Sequence, residues 1–446
     1  MSEVVTTVEL EDNDDPKGFR AVLAHRDFSL LWSGQLVSNI GTAIAYLALM
    51  FYAYDLTGSP MAMAILAIAQ TLPVVAFAGP IGVYIDRWNR KKIMVASDIV
   101  RAITILLIPL AIYFPSFMPT IYWVYLLTFL YATANAWFFP ARSAAIPNLV
   151  EGDELVAANS LSQMTFQIVQ LVVPPIGGIL VALLAPDYLL AFAINSAAFM
   201  FSALALRGIR TNLIPNRDID DKESMMAQIK QGAHYVIGSS ILSFLFVFAM
   251  LLAVSSGILN ALFMPLLEGE LGLGSAQVGL VLSAGAASGA AAAVYFSRKQ
   301  KIDQPLYLIV LAELLAGIAI FGLVLAFDLV TAMLSWVIIG AVDVVLIIPL
   351  TVLMQELVED ELRGRVFSLL SVTFTALQVV GMAIGGIWAE TVAATGPPMT
   401  GAALVLVLVS LLGFLVVAKL NLHASLSKPV DEESDISQEL VVEVSA

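Results

Sequence analysis

Long apolar runs broken by short polar clusters set the pattern of this chain. Stretches of roughly 20 apolar residues recur along it, the length a helix rising 1.5 Å per residue needs to cross a hydrocarbon layer about 30 Å thick. They predict twelve helical spans, at 28–54, 61–84, 93–114, 119–140, 158–184, 188–206, 237–266, 276–297, 304–326, 329–354, 365–391 and 398–418. The longest polar interruption, from Arg207 to His234, leaves six spans on each side. The expected organisation is a tail (1–27), a six-helix bundle (28–206), a central loop (207–236), a second six-helix bundle (237–418) and a final tail (419–446). Only closed backbone structures survive in lipid, so the fold class is all-α integral membrane.

The two halves look duplicated. A shift of 208 residues lays Leu149-Val150-Glu151 on Leu357-Val358-Glu359 and Ser160-Leu161 on Ser368-Leu369. It also lays Gln170 on Gln378, and Ile176-Gly177-Gly178-Ile179 on Ile384-Gly385-Gly386-Ile387. Parallel halves related by an axis along the membrane normal are one transporter architecture, with the substrate site at the midplane between them.

Charge orients the spans. With twelve crossings, Arg20, Arg26, Arg87, Arg90, Lys91, Lys92, Arg142, Arg207, Arg210, Arg298, Lys299, Arg363, Arg365 and Lys419 all fall on the side of the two tails. The six opposite loops contain no lysine or arginine, and hold instead Asp55, Asp187, Glu268, Glu270, Asp328 and Glu390. Basic residues collect in cytoplasmic loops, so both tails are expected in the cytoplasm and the protein in the inner (plasma) membrane. Composition agrees: 60% of residues are hydrophobic and 13% charged, against roughly 25% charged in a soluble domain. The net charge of -14 owes much to acids in the tails, from Glu3 to Asp15 and from Asp431 to Glu443, which are expected to be disordered. The first 27 residues have no apolar core of a cleaved signal peptide. Without cysteine there is no disulfide framework or thiolate chemistry.

After the second span stands Gly82-Val-Tyr-Ile-Asp86-Arg87-Trp-Asn89-Arg90-Lys91. It resembles the G-x-x-x-D-R-x-G-R-K loop signature of the major facilitator superfamily, with Asn89 in place of the second glycine. Asparagine tolerates the left-handed backbone that a glycine supplies there. The resemblance implies that Asp86 docks at the N-terminal end of the eleventh helix, near Arg365, and helps close the cytoplasmic side. A helix N-terminus suits a carboxylate. Further stretches are similar to the macrolide-efflux and enterobactin-exporter type of drug/proton antiporter: Phe28 to Gln35, Asp98-x-x-Arg101, Pro140-Ala-Arg142, and Glu361 to Ser368. Pro174-x-x-Gly177-Gly178 resembles the end of an antiporter signature, although small residues and proline there equally serve helix packing and bending. The implied fold is two six-helix bundles related by pseudo-two-fold symmetry.

An ionisable group within a span costs roughly 2.5–3.5 kcal/mol at the helix centre, so each one is a functional candidate. Asp98 and Arg101 lie three apart on one helical face and are expected to form a structural and gating pair close to the Asp86 loop and Arg142. Asp343, at the middle of the tenth span, and Glu313, in the ninth, are the coupling candidates, with a polar contact to a neighbouring helix as the alternative for each. Desolvation favours the protonated form of an isolated buried carboxyl group. Helices one, four, seven and ten line the cavity in the superfamily, so an aspartate at position 343 could bind a cationic substrate or exchange a proton for it. Gln35, Asn39, Asn135, Trp137, Gln163, Gln167, Gln170 and Asn260 are the further cavity candidates, able to supply hydrogen bonds and an aromatic wall.

The histidines, His25, His234 and His423, are far apart, and no phosphate-cradling loop or zinc-binding helix motif occurs, so neither an enzyme nor an ATP-driven pump is expected. No cofactor, metal or nucleic acid is implied. The expectation is a secondary transporter, acting as a monomer, that exports a small amphiphilic molecule, neutral or cationic, in exchange for protons. A siderophore exporter and a lysophospholipid flippase are the alternatives on the same fold, with a non-transporting sensor behind them.

Overall fold

Each span must satisfy its backbone within itself, and the described residues do so with twelve long helices. The computed structural model describes residues 18–85, 87–113, 118–185, 187–214, 225–299, 302 and 304–426. The long helices are α1 (Arg26–Thr57), α2 (Pro60–Ile85), α3 (Arg90–Leu110), α4 (Thr120–Ala145), α5 (Leu155–Leu184) and α6 (Leu189–Arg207). After them come α7 (Ser240–Met264), α8 (Ser275–Ser297), α9 (Pro305–Val324), α10 (Leu329–Leu357), α11 (Asp360–Val392) and α12 (Gly396–Leu426). Among the described residues there is no strand.

Eleven of these helices are long and apolar enough to cross a membrane by composition alone. The twelfth, α4, is diluted by residues such as Thr120, Tyr122, Asn135 and Arg142. Several ends differ from expectation. Helix α4 runs through Pro140, α11 starts at Asp360 rather than 365, and α12 continues to Leu426, taking in Lys419 and His423. The central 207–236 stretch contains a helix, Met225–Gly238, whose Tyr235 hydroxyl donates to the Leu357 carbonyl at 3.3 Å. The acidic residues of both tails lie outside the described residues.

Two compact units divide the chain, one of Met1–Thr57, Ile68–Lys222 and Gly274–Ser283, the other of Gly58–Ala67, Glu223–Leu273 and Ala284–Ala446. In the first, α1 packs on α5 and α6, and α3 packs on α4 and α6. In the second, α7 packs on α11 and α12, and α9 packs on α10 and α12. Adding six to each helix number of the first pattern yields the second, so the sequence repeat is a repeat of packing. Its glycines match as well. A Cβ on Gly177 would stand 3.4 Å from the Ile44 Cα on α1, and one on Gly385 would stand 3.2 Å from the Ile258 Cα on α7. These contacts let the paired backbones approach closely, the packing use of the Pro174-x-x-Gly177-Gly178 motif.

The charged residues flanking the spans finish helix ends. At the starts of even-numbered helices acids accept orphan N–H groups: Asp187 from Leu189 (3.1 Å), Asp328 from Thr331 (2.9 Å), Glu270 from Thr395 (2.7 Å) and Glu390 from Met61 (3.4 Å). At their other ends cations meet free carbonyls. Arg90 donates to Ala144 at 2.8 Å, Lys91 to Arg207 at 2.8 Å and Ile209 at 2.7 Å, and Arg363 to Gln355 at 2.7 Å. Both placements complement the helix dipole. On the outward flanks apolar side chains are bare, as Leu404, Leu408, Leu411 and Leu415 are along α12, a surface that only lipid or a partner would cover.

Candidate functional site

The basic half of the loop signature is anchored within the first unit. Asn89 is not left-handed: its backbone is extended (φ −62°, ψ 112°), and its side chain caps α3 by accepting from the amides of Lys91 (3.0 Å) and Lys92 (3.3 Å). A capping asparagine replaces the flexible glycine of the family pattern. Arg90 and Lys91 then tie the start of α3 to the ends of α4 and α6, as above, while Arg87 is exposed. Gly82 lies in the last turns of α2. Asp86, the proposed gating carboxylate, lies outside the described residues.

The polar centre of the first unit is sealed. Asp98 is 0% exposed and Arg101 4%, and the two are joined directly on α3. Arg101 also donates to Asn135 Oδ1 on α4 at 3.0 Å. Its guanidinium lies 4.2 Å from the Phe138 ring centre and 4.4 Å from that of Phe199 on α6. Aromatic faces on a desolvated guanidinium add a favourable cation–π attraction. Asn135, expected at the cavity, therefore spends its carbonyl oxygen on this pair. Phe138 and Phe199 were not anticipated; the spacing of Phe138 three residues after Asn135 carried the signal.

Nearer the lysine-rich end, Arg142 donates to Gln35 Oε1 on α1 at 3.1 Å and sits 5.7 Å from the Phe139 ring. Trp137 is half-buried, 5.6 Å from the Tyr84 ring, and Trp32 Nε1 donates to Thr165 Oγ1 at 3.0 Å, joining α1 to α5. Asn39 is half-buried on α1. Gln163, Gln167 and Gln170 are all exposed, and their spacing puts them on one face of α5 as a polar stripe. In the second unit Asn260 is exposed on α7, while Gln378, the repeat partner of Gln170, donates to Ser256 on α7 at 3.2 Å.

The two coupling candidates sit on neighbouring helices in opposite settings. Asp343, at the middle of α10, is exposed. Glu313 on α9 is 1% exposed, and neither of its carboxyl oxygens has a hydrogen-bond partner among the described residues. It closes a cavity with room for about one water molecule, walled by Leu245, Phe248, Ala249 and Leu252 of α7, Ile309 of α9, and Leu346 and Leu350 of α10.

Comparison with known proteins fits this architecture. Residues 18–442 match the family described as transmembrane secretion effector. Macrolide efflux protein A of Streptococcus pyogenes is 27% identical over 209 residues, 46% of this chain and 51% of that protein, so the match spans about half of the relative's length. The MFS-type transporter YfiS of Bacillus subtilis is 25% identical over 375 residues, covering 81% of this chain and 86% of YfiS. Among solved structures, a bacterial homologue of the iron transporter ferroportin in an inward-facing state superimposes with a TM-score of 0.67 at 16% identity, covering 88% of this chain and 98% of that one. That likeness shows the fold. With its whole described length matched, the chain belongs to the transmembrane secretion effector family of the major facilitator superfamily.

Proposed function

We propose that this transporter exports small amphiphilic or drug-like molecules across the inner membrane by alternating access, in exchange for protons, with both chain ends in the cytoplasm. The observation that carries the reading is Asp343, an uncovered carboxylate at the middle of an apolar helix in a family with efflux relatives. An intramembrane carboxylate left open to a solvent path can hold either a cationic substrate group or a proton, and that competition couples their movements. Neutral or cationic substrates are favoured chiefly on account of Asp343, since Asp187, Glu270, Asp328 and Glu390 are engaged as helix caps and Asp55 accepts the Tyr188 hydroxyl. Gln35, Asn39, Trp137, the α5 glutamines and Asn260 are the further contacts proposed for substrate, and the loop from Gly82 to Lys91 is proposed to act in gating.

The test is accumulation of ethidium and of a labelled macrolide in efflux-deficient cells that express the wild type or Asp343→Asn, with and without a protonophore. Export predicts lower accumulation with the wild type, abolished by the protonophore and lost in Asp343→Asn. Unchanged accumulation of both compounds would overturn multidrug export and move a siderophore or lysolipid substrate to the front.

A further inference from the structure

The two units treat their buried acids differently. In the first, Asp98 is neutralised in place by Arg101, with Asn135 and two phenyl rings completing the cluster. In the second, Glu313 is equally buried, and among the described residues nothing balances it. Every other wall residue of its cavity is apolar. Among the helices packed about it, α7 has no charged residue, and α9 has Glu313 alone with the phenol of Tyr307 nearer its start. Helix α10 carries Asp343 and Glu356, and the described side chains of α12 include Lys419; none of these lines the cavity. An ionised carboxylate with neither counter-charge nor hydrogen bond is far costlier to bury than a neutral carboxylic acid. In this conformation the acid form fits the pocket.

The cover of the cavity belongs to the helix that bears Asp343. Leu346 and Leu350 follow Asp343 on α10, and between them Pro349 lies inside the helix. Proline has no amide hydrogen, so the Val345 carbonyl lacks its ladder partner and α10 can bend there. A bend between the two leucines would part the wall over Glu313 and admit water.

We infer that Glu313 is a second proton-binding site, opened and closed by Leu346 and Leu350 where Pro349 lets α10 bend, and distinct from Asp343, where substrate and proton compete. Uptake forms one O–H bond at a Glu313 carboxyl oxygen from a hydrated proton and leaves a water molecule; release reverses it. The inference rests on the export reading only for what the proton drives, since the site itself stands on the pocket.

Two measurements test it. Infrared spectra of the purified full chain in lipid nanodiscs, without substrate at neutral pH, should show a buried carboxylic-acid carbonyl band that disappears in Glu313→Gln and persists in Asp343→Asn. Leu346→Ala should speed deuterium exchange at that band. In proteoliposomes, Glu313→Gln should lose ethidium accumulation driven by a pH gradient, down to the level of protein-free vesicles, while ethidium-for-ethidium exchange continues. A band that survives in Glu313→Gln, or full pH-driven accumulation in that variant, overturns the assignment. Glu313→Asp keeps an acid in the pocket and should retain a shifted band, which decides the matter if the glutamine variant fails to fold. A wild type that moves no ethidium counts against the export reading, and the infrared comparison still decides Glu313.

Discussion

Arg101 donates to Oδ1 of Asn135 at 3.0 Å while also holding Asp98, so one guanidinium fastens α3 to α4. Removing the cation leaves Asp98 buried and uncompensated, a change that costs about 3–5 kcal/mol in buried pairs. Arg101→Met is therefore expected to lower the thermal unfolding temperature in detergent sharply. Changing Asp98→Leu as well should restore most of the loss, because apolar residues of similar volume replace a buried pair at little cost. A single variant that unfolds like the wild type would show that the pair does not hold the first unit together.

The loop signature separates into capping and docking parts by substitution. Lys91 satisfies carbonyls of Arg207 and Ile209 at the end of α6. Lys91→Met should cost about 1 kcal/mol through the lost charge at a helix C-terminus. Asn89→Gly restores the family residue, and glycine at a cap costs only a few tenths of a kcal/mol relative to asparagine, whereas Asn89→Ala should cost about 1 kcal/mol. Thermal melts of the three variants give the order; a glycine variant less stable than the alanine one would contradict the extended backbone at position 89.

Much of this frame was legible in the residues because lipid demands it. Eleven of the twelve helices sit where apolar runs of sufficient length occur, and the 208-residue repeat reappears as matching helix pairs. Which way each polar side chain points was far less legible. Helices α9, α10 and α12 are apolar almost all round, so helical periodicity has no contrast from which to orient Glu313 or Asp343. Asn135 and Asn260 look alike as lone asparagines in spans, yet one is committed to Arg101 and the other is exposed. The acids at the span ends look like a field for cations, yet four of the six, Asp187, Glu270, Asp328 and Glu390, are caps instead. That distinction depends on which amide lies within 3.5 Å, a tertiary fact for Glu270 and Glu390, whose partners lie far along the chain.

Asp328 offers a test with pH. Its carboxylate accepts the Thr331 hydroxyl at 2.7 Å and the Thr331 amide at 2.9 Å. These bonds hold its carboxyl group below the ordinary carboxylate range. A group depressed in the folded state contributes stability above its unfolded pKa and loses that contribution as pH falls through the folded value. Protection of the amides at the start of α10, taken relative to the intrinsic exchange rate at each pH, should thus be high at neutral pH and fall only in acid, below the usual aspartate titration. In Asp328→Ala it should be low throughout. Equal exchange in the wild type and the alanine variant at neutral pH would remove the cap from the description.

Gly340 on α10 meets Gly285 on α8 backbone to backbone, closer than any side chain would permit. A Cβ on Gly285 would also run into the Trp336 indole, within 2.7 Å of its Nε1, and the same indole packs at a tilt against Phe263 of α7 with ring centres 4.4 Å apart. Helices α7, α8 and α10 are thus locked around one tryptophan on the Asp343-bearing helix. Overpacking such a contact costs about 1–3 kcal/mol, because the backbone itself must shift. Gly340→Ala is expected to reduce thermal stability by that amount. It should also weaken export beyond the loss of folded protein, since moving α10 displaces both Asp343 and the leucines over Glu313. Gly322→Ala is the control. Its added methyl would meet the Ser335 hydroxyl at 3.1 Å, the end of a small side chain and not backbone, so a smaller loss is expected. Transport normalised to folded protein in the membrane separates the two effects. If Gly340→Ala exports as well per folded molecule as the wild type, the position of α10 is not what sets the rate.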